Sequence, residues 1–220
     1  MIPPAVLTNS WGFCYTQYMK PVWVIGIDEV GRGPLAGPVY VCGIAMKMSE
    51  YKKMKWRGLT DSKKMTSGAR ESWHALAHEL QLENKIKIAL ASQSAINIDR
   101  HGINPSISKC IEAILSELKL DPKKVLVLLD GGLKAPKKYT HQQTIIRGDS
   151  KKKIISLASV VAKVTRDNEM EKVGGKYPLY KWGANKGYGT KAHIEAIKEY
   201  GITPLHRRSY LSRILDKRYK

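Results

Sequence analysis

Cysteine and acidic residues are scarce in this chain, and long apolar runs are missing. The three cysteines, Cys14, Cys42 and Cys110, are odd in number and follow no spacing pattern. They exclude a disulfide framework and a CxxC zinc site, and they fit a reducing compartment, so a cytoplasmic protein is expected. No run of about 18 apolar residues occurs, which excludes a membrane-spanning helix. The first twenty residues carry no charged side chain before Lys20, and Thr8, Asn9, Ser10 and Gln17 interrupt their apolar stretch. A signal peptide is therefore not expected. Internal repeats and low-complexity linkers are also missing, and no Ser-His-Asp or Cys-His arrangement suggests a protein nucleophile.

Basic residues are abundant. Thirty-eight Lys and Arg stand against 19 Asp and Glu in 220 residues, a net charge of +19. That length suits one medium domain with a developed core. Such an excess favours a polyanionic partner, nucleic acid or an anionic membrane surface. The basic residues cluster at 52–64, at Lys151–Lys153 and at 207–220. A membrane-surface helix would gather its charge on one amphipathic segment. None is found, so nucleic acid is the expected partner.

Periodicity places the elements. Pro21–Ile27 reads as a buried strand ending at Asp28. A Gly/Pro-rich turn and a second strand, Val39–Met46, complete a hairpin. Ser67–Leu82 reads as a helix and Lys85–Ala91 as a strand. Ile107, Ile111, Ile114, Leu115 and Leu118 mark an amphipathic helix. Val125–Leu129 reads as a central strand buried on both faces, and Thr144–Ile146 as a short strand closing at Gly148-Asp149. Apolar residues from Ile154 to Val164 mark a helix of several turns. A last helix covers Lys191–Tyr200 and stops at Gly201. The pattern is an α/β arrangement with a helical, basic C-terminal part.

Four acids fall where these strands end: Asp28 and Glu29, Asp130, and Asp149. Side chains on rigid strand ends can converge in space. A cluster of like charges is costly unless something offsets it, and hard cations such as Mg²⁺ or Mn²⁺ take carboxylate oxygens. Acids also commonly cap strands, and position alone does not decide between the two readings.

The residues around these acids form a series. Gly26-Ile27-Asp28-Glu29-Val30-Gly31-Arg32-Gly33-Pro34-Leu35-Ala36-Gly37-Pro38-Val39 closely resembles the opening motif of the ribonuclease HII family. Leu59–Met65 resembles its second block, and Leu129-Asp130-Gly131 its third. Gly148-Asp149-Ser150 with Ile155–Asp167 resembles its fourth. Lys186–Thr190 and His206–Ser209 follow in the family's order. The likeness covers about Trp23 to Tyr210 and is closer to the bacterial branch. Gly31-Arg32-Gly33 separates it from the sister type, ribonuclease HIII. Two departures stand out: Gly132 where Asn is frequent, and Tyr210 where Phe is common.

The resemblance implies a ribonuclease-H-like mixed central sheet flanked by helices. It implies two Mg²⁺ or Mn²⁺ ions held by Asp28, Glu29, Asp130 and Asp149. The activity implied is metal-dependent hydrolysis on the 5′ side of a ribonucleotide in duplex DNA, and of RNA in RNA/DNA hybrids, leaving 5′-phosphate and 3′-hydroxyl ends. Gly31, Arg32 and Gly33 correspond to the family's sensor of the ribose 2′-OH, the group that separates RNA from DNA. Tyr188 corresponds to a tyrosine that senses that hydroxyl and stacks on the next sugar. Lys63, Lys64, Ser150 and Lys151 are candidate phosphate contacts, with Arg207 and Arg208 as further ones. Arg166 and Asp167 read as an ion pair within a helix. His193 and His206 stay outside the catalytic set, and Tyr180 and Trp182 read as core. The expected organisation is an extension at 1–20, a catalytic domain at 21–200 and a basic segment at 201–220, in a monomer. The competing reading is a non-catalytic nucleic-acid-binding protein on the same scaffold.

Overall fold

The computed structural model describes residues 20–212 and 214. The expected extension, apart from Lys20, and the end of the basic segment lie outside these residues. Five strands form one sheet in the order β3-β2-β1-β4-β5. They are β1 (Trp23–Val30), β2 (Val39–Lys47), β3 (Ile86–Gln93), β4 (Val125–Asp130) and β5 (Gln142–Ile145). The helices are α1 (Met48–Lys53), α2 (Ser67–Leu82), α3 (Ala95–His101), α4 (Ile103–Glu117), α5 (Gly148–Lys151), α6 (Lys153–Lys176), α7 (Trp182–Asn185) and α8 (Lys191–Tyr200). β1, β2 and β3 pair antiparallel, while β1–β4 and β4–β5 pair parallel. The mixed sheet with flanking helices is the expected fold class.

Strand alternation divides the core. Ile25, Ile27, Val127 and Leu129 meet α3 and α4 on one face. Val24, Ile44, Met46 and Leu128 meet α2 and α6 on the other. A third cluster, around Trp182, joins α7 and α8 to the end of α6 and to Ala36. Each fully buried Ile or Leu contributes about 1.5–3 kcal/mol.

α6 is longer than its apolar run suggested. Residues 154–162 are all buried, so this half has no amphipathic stripe to read. The second half is polar on its outer flank and continues to Lys176. Its close approach to the sheet depends on Gly26, where a Cβ would lie 2.5 Å from the carbonyl carbon and oxygen of Ile154. Thr66, Ser94 and Thr190 cap α2, α3 and α8 through their hydroxyls.

Candidate active site

Register brings the first acids together. Ile27 pairs with Leu129 across parallel β1 and β4, so Asp28 and Asp130 follow at one level on neighbouring strands, whose spacing is about 4.8 Å. Both lie on the face covered by α6. Glu29, one residue on, lies on the α4 face. There its carboxylate meets Arg32 at 3.5 Å, and Arg32 also donates to Asn104 of α4 at 2.6 Å.

Asp149 does not sit on a strand end. β5 stops at Ile145, Arg147 takes a left-handed conformation, and Asp149 lies in the single turn α5. The Gly148 N–H donates to Asp130 Oδ1 at 2.5 Å, and the Ser156 hydroxyl of α6 donates to the Asp149 carbonyl. Asp130 thus fixes the turn that carries its neighbour.

The four carboxylates line one cleft of about 540 Å³, together with Gly31, Arg32, Gly33, Lys63 and Tyr188. Ser62, Ser159 and Lys163 line it too, and sequence reasoning had given none of them a role. Ser159 and Lys163 are one helical turn apart on α6, a spacing that could have revealed them. Ser62 and Ser159 share a hydrogen bond of 2.9 Å. Lys153 also donates to the Leu59 carbonyl, at 2.5 Å, so α6 anchors the segment bearing Lys63. Lys64, Ser150 and Lys151 are exposed outside the cleft lining, the last two on the same turn as Asp149.

Burial raises the Asp28 carboxyl well above its usual range; the Ser159 hydroxyl opposes this, and the charges of Glu29 and Asp130 add to it. Glu29 is raised chiefly by burial, against the pull of Arg32, and Asp149 by burial followed by repulsion from Asp61 and Asp130. Glu29 Oε2 is buried without a hydrogen-bond partner among the described residues. Buried oxygens of this kind are costly unless a cation or donor meets them. As the side chains stand, no group of three or more His, Cys, Asp or Glu among the described residues forms a ready cage. The Gly148 N–H already occupies Asp130 Oδ1, and Glu29 reaches the cleft from the next position along β1. The donor set, all hard oxygens in a repulsive cleft, fits divalent ions such as Mg²⁺ or Mn²⁺.

Two expectations fail. Arg166 and Asp167 do not pair, because adjacent helical residues point apart. Asp167 takes Lys163 at 2.8 Å, while Arg166, fully buried, donates to the carbonyls of Pro38, Lys186 and Ala36. Arg207 is not a surface phosphate contact. It too is fully buried and donates to the carbonyls of Gly37, Arg32 and Gly31. Arg208 remains exposed. Tyr188 is 40% exposed, with the Arg166 guanidinium 5.9 Å from its ring centre.

His193 and His206 pack against Trp182 and Tyr180, away from the cleft. Their partners assign the tautomers. The Thr203 N–H donates to His206 Nδ1 at 2.9 Å, so His206 Nε2 carries the proton facing His193 Nε2 at 3.2 Å. That nitrogen also accepts from the Trp182 indole at 3.0 Å, and His193 Nδ1–H donates to the Tyr188 carbonyl at 2.9 Å.

Known proteins resemble the chain in sequence and in fold. A family model described as ribonuclease HII matches residues 25–213. The ribonuclease HII of Caldicellulosiruptor bescii is 39% identical over 194 residues, covering 88% of this chain and 89% of that protein. The crystal structure of ribonuclease H2 from Pyrococcus horikoshii superposes with a TM-score of 0.68 at 26% identity, over 90% of this chain and 98% of that one. A Bst-RNase HIII structure in complex with Mn²⁺ shares the fold, with a TM-score of 0.61 at 17% identity over 94% and 75% of the two chains. The family acts on nucleic acid and depends on metal ions. Motif order, sheet topology and the acid-lined cleft agree with that match, and the chain belongs to the ribonuclease HII family of type 2 ribonuclease H endonucleases.

Proposed function

We propose that the cleft hydrolyses the phosphodiester on the 5′ side of a ribonucleotide embedded in duplex DNA, and cuts the RNA strand of RNA/DNA hybrids, leaving 5′-phosphate and 3′-hydroxyl ends. The observation that carries this reading is the set of four carboxylates in one cleft, with Glu29 Oε2 buried and unmatched. Asp28, Glu29, Asp130 and Asp149 would hold two Mg²⁺ or Mn²⁺ ions. When bound, such ions supply an activated water and offset charge on the leaving oxygen.

The chain's own residues do the rest. The glycines flanking Arg32 let the backbone approach a sugar closely, and Tyr188 offers an exposed ring beside them. Lys63, from the cleft, and Lys64, Ser150 and Lys151, from its surroundings, meet phosphates and set the register of the duplex without reading sequence. Residues 21–200 form the catalytic domain, the basic segment from 201 packs on it through Leu205, His206 and Arg207, and 1–20 has no assigned role. The protein acts as a monomer in the cytoplasm, a setting that suits the free, buried thiols of Cys42 and Cys110.

The test is a labelled DNA duplex with one ribonucleotide beside an all-DNA control, each with Mg²⁺, Mn²⁺ or EDTA. A single cut 5′ to the ribonucleotide, absent in EDTA and in the control, supports the reading. Binding without cutting in either metal returns the scaffold alternative.

A further inference from the structure

Two arginines account for an unusual amount of the loop that follows β1. Arg207 Nη2 donates to the Gly31 carbonyl at 2.6 Å, Nη1 to the Arg32 carbonyl at 3.0 Å and Nε to the Gly37 carbonyl at 3.0 Å. Arg166 Nε donates to the Pro38 carbonyl at 3.0 Å and Nη2 to the Ala36 carbonyl at 3.3 Å. Neither guanidinium forms an ion pair with a carboxylate among the described residues. Burying a charge this way is costly, and a simple loop staple would not require it. Gly31 has φ +86, and a Cβ there would lie 2.3 Å from Arg166 Nε. The glycine thus makes room for the guanidinium as well as for the turn.

Peptide geometry gives these bonds a direction. In a planar trans peptide the carbonyl and the following N–H point opposite ways. Turning the carbonyls of Gly31 and Arg32 inward to Arg207 turns the N–H groups of Arg32 and Gly33 outward, on the loop that lines the cleft. Neither N–H has a protein acceptor among the described residues. Arg166 extends the same hold to the other side of the cleft. Its Nη1 donates to the Lys186 carbonyl at 3.0 Å, two residues before Tyr188, and its guanidinium lies beneath the Tyr188 ring.

We infer that Arg207 and Arg166 are positioning residues for ribose recognition: Arg207 aims the Arg32 and Gly33 N–H groups at the sugar, and Arg166 sets Tyr188 in register with them. The inference rests on the reading above that this loop meets the ribose. Both side chains act from beneath the loop, so neither touches substrate.

The experiment uses Arg207→Lys and Arg166→Lys in the full chain. Lysine keeps the charge, but a single ammonium cannot span three carbonyls. For duplex DNA with one ribonucleotide, kcat should fall about 10²-fold, the size expected from a misplaced reactant. Affinity for an all-DNA duplex of the same sequence, followed by anisotropy, should stay within about twofold, since the phosphate contacts are untouched. A merely structural role would remove active molecules and lower both readouts in parallel; that result, or an unchanged kcat, overturns the inference. Should a lysine variant not fold, Arg207→Gln, whose planar amide can still donate to a carbonyl of the loop but cannot span all three, is measured in the same way. The same loss of kcat with all-DNA affinity retained then supports the inference, and a retained kcat overturns it. If the unmodified protein fails to cut, or cuts the all-DNA duplex equally, the ribose reading itself has failed.

Discussion

Gly26 of β1 and Ile154 of α6 meet backbone to backbone, at a distance that leaves no room for a methyl group. This contact sets how close α6 comes to the sheet, and so where Ser159 and Lys163 stand beside Asp28. Gly26→Ala should cost about 1–3 kcal/mol through overpacking, which for a domain of this size lowers Tm by about 2–4 °C per kcal/mol. Gly175, also on α6, faces open space, and Gly175→Ala should stabilise the fold by about 0.4–1 kcal/mol and so raise Tm. Thermal unfolding of both variants checks the contrast in sign.

Asp28→Asn should lower cleavage by roughly 10²–10³-fold or more while leaving duplex binding largely intact. Its Tm should hold or rise, because burial and the charges of Glu29 and Asp130 already oppose ionisation at this position. Addition of Mn²⁺ should raise the Tm of the unmodified protein and shift the variant less. Full activity in the variant would break the assignment of the carboxylates.

Tyr188→Ala should lower cleavage at an RNA-to-DNA junction more than it lowers affinity for the duplex. Steady-state kinetics beside direct binding separates the two. A loss confined to affinity would make Tyr188 an ordinary contact.

Acid should loosen the cluster around Trp182. Burial, followed by the charge of His193, lowers His206 to about 4, and burial also lowers His193. The unfolded chain then binds protons that the folded one refuses between about pH 6.5 and 4, so stability is held above that window and lost as pH falls through it. His206 alone accounts for up to about 3 kcal/mol. Tm measured from pH 8 to pH 4 should fall most steeply below pH 6.5. His206→Gln should flatten that slope, and an unchanged slope would show that other groups set it.

Duplex affinity should fall steeply with salt, with a slope of about −0.9 per phosphate contact for DNA. Lys63→Ala should reduce the slope by about one unit. A flat response would remove the charge argument.

The sequence was most legible where the structure is local. The helix at Ser67–Leu82 was read from apolar spacing and that at Lys191–Tyr200 from its terminal Gly201, and threonine caps start both. Asp130 was legible as a strand end because a buried apolar run leads into it; Asp28 was placed at the end of β1, but the strand continues to Val30 because Glu29 and Val30 still pair with Val41 and Tyr40 of β2. Asp149 was misplaced by a few residues, since the left-handed Arg147 and the bond from Gly148 to Asp130 are tertiary matters. Arg166 and Arg207 were misread for a deeper reason. A charged residue in sequence suggests solvent or a carboxylate, whereas here the partners are carbonyls 128 and 170 residues away. Ser62 escaped because its partner, Ser159, lies 97 residues away.

The loop after β1 is held by residues made long after it. Ala36 bridges to His206, and the N–H of Gly37 donates to the Leu205 carbonyl at 2.8 Å, as that of Arg207 does to Leu35. Contacts of such separation carry a large loop-closure cost and slow folding. On the ribosome, Asp28, Asp130 and Asp149 are synthesised before Leu205, His206 and Arg207 exist. The groups proposed to tie hydrolysis to ribose thus come last in the chain, after every carboxylate of the cleft.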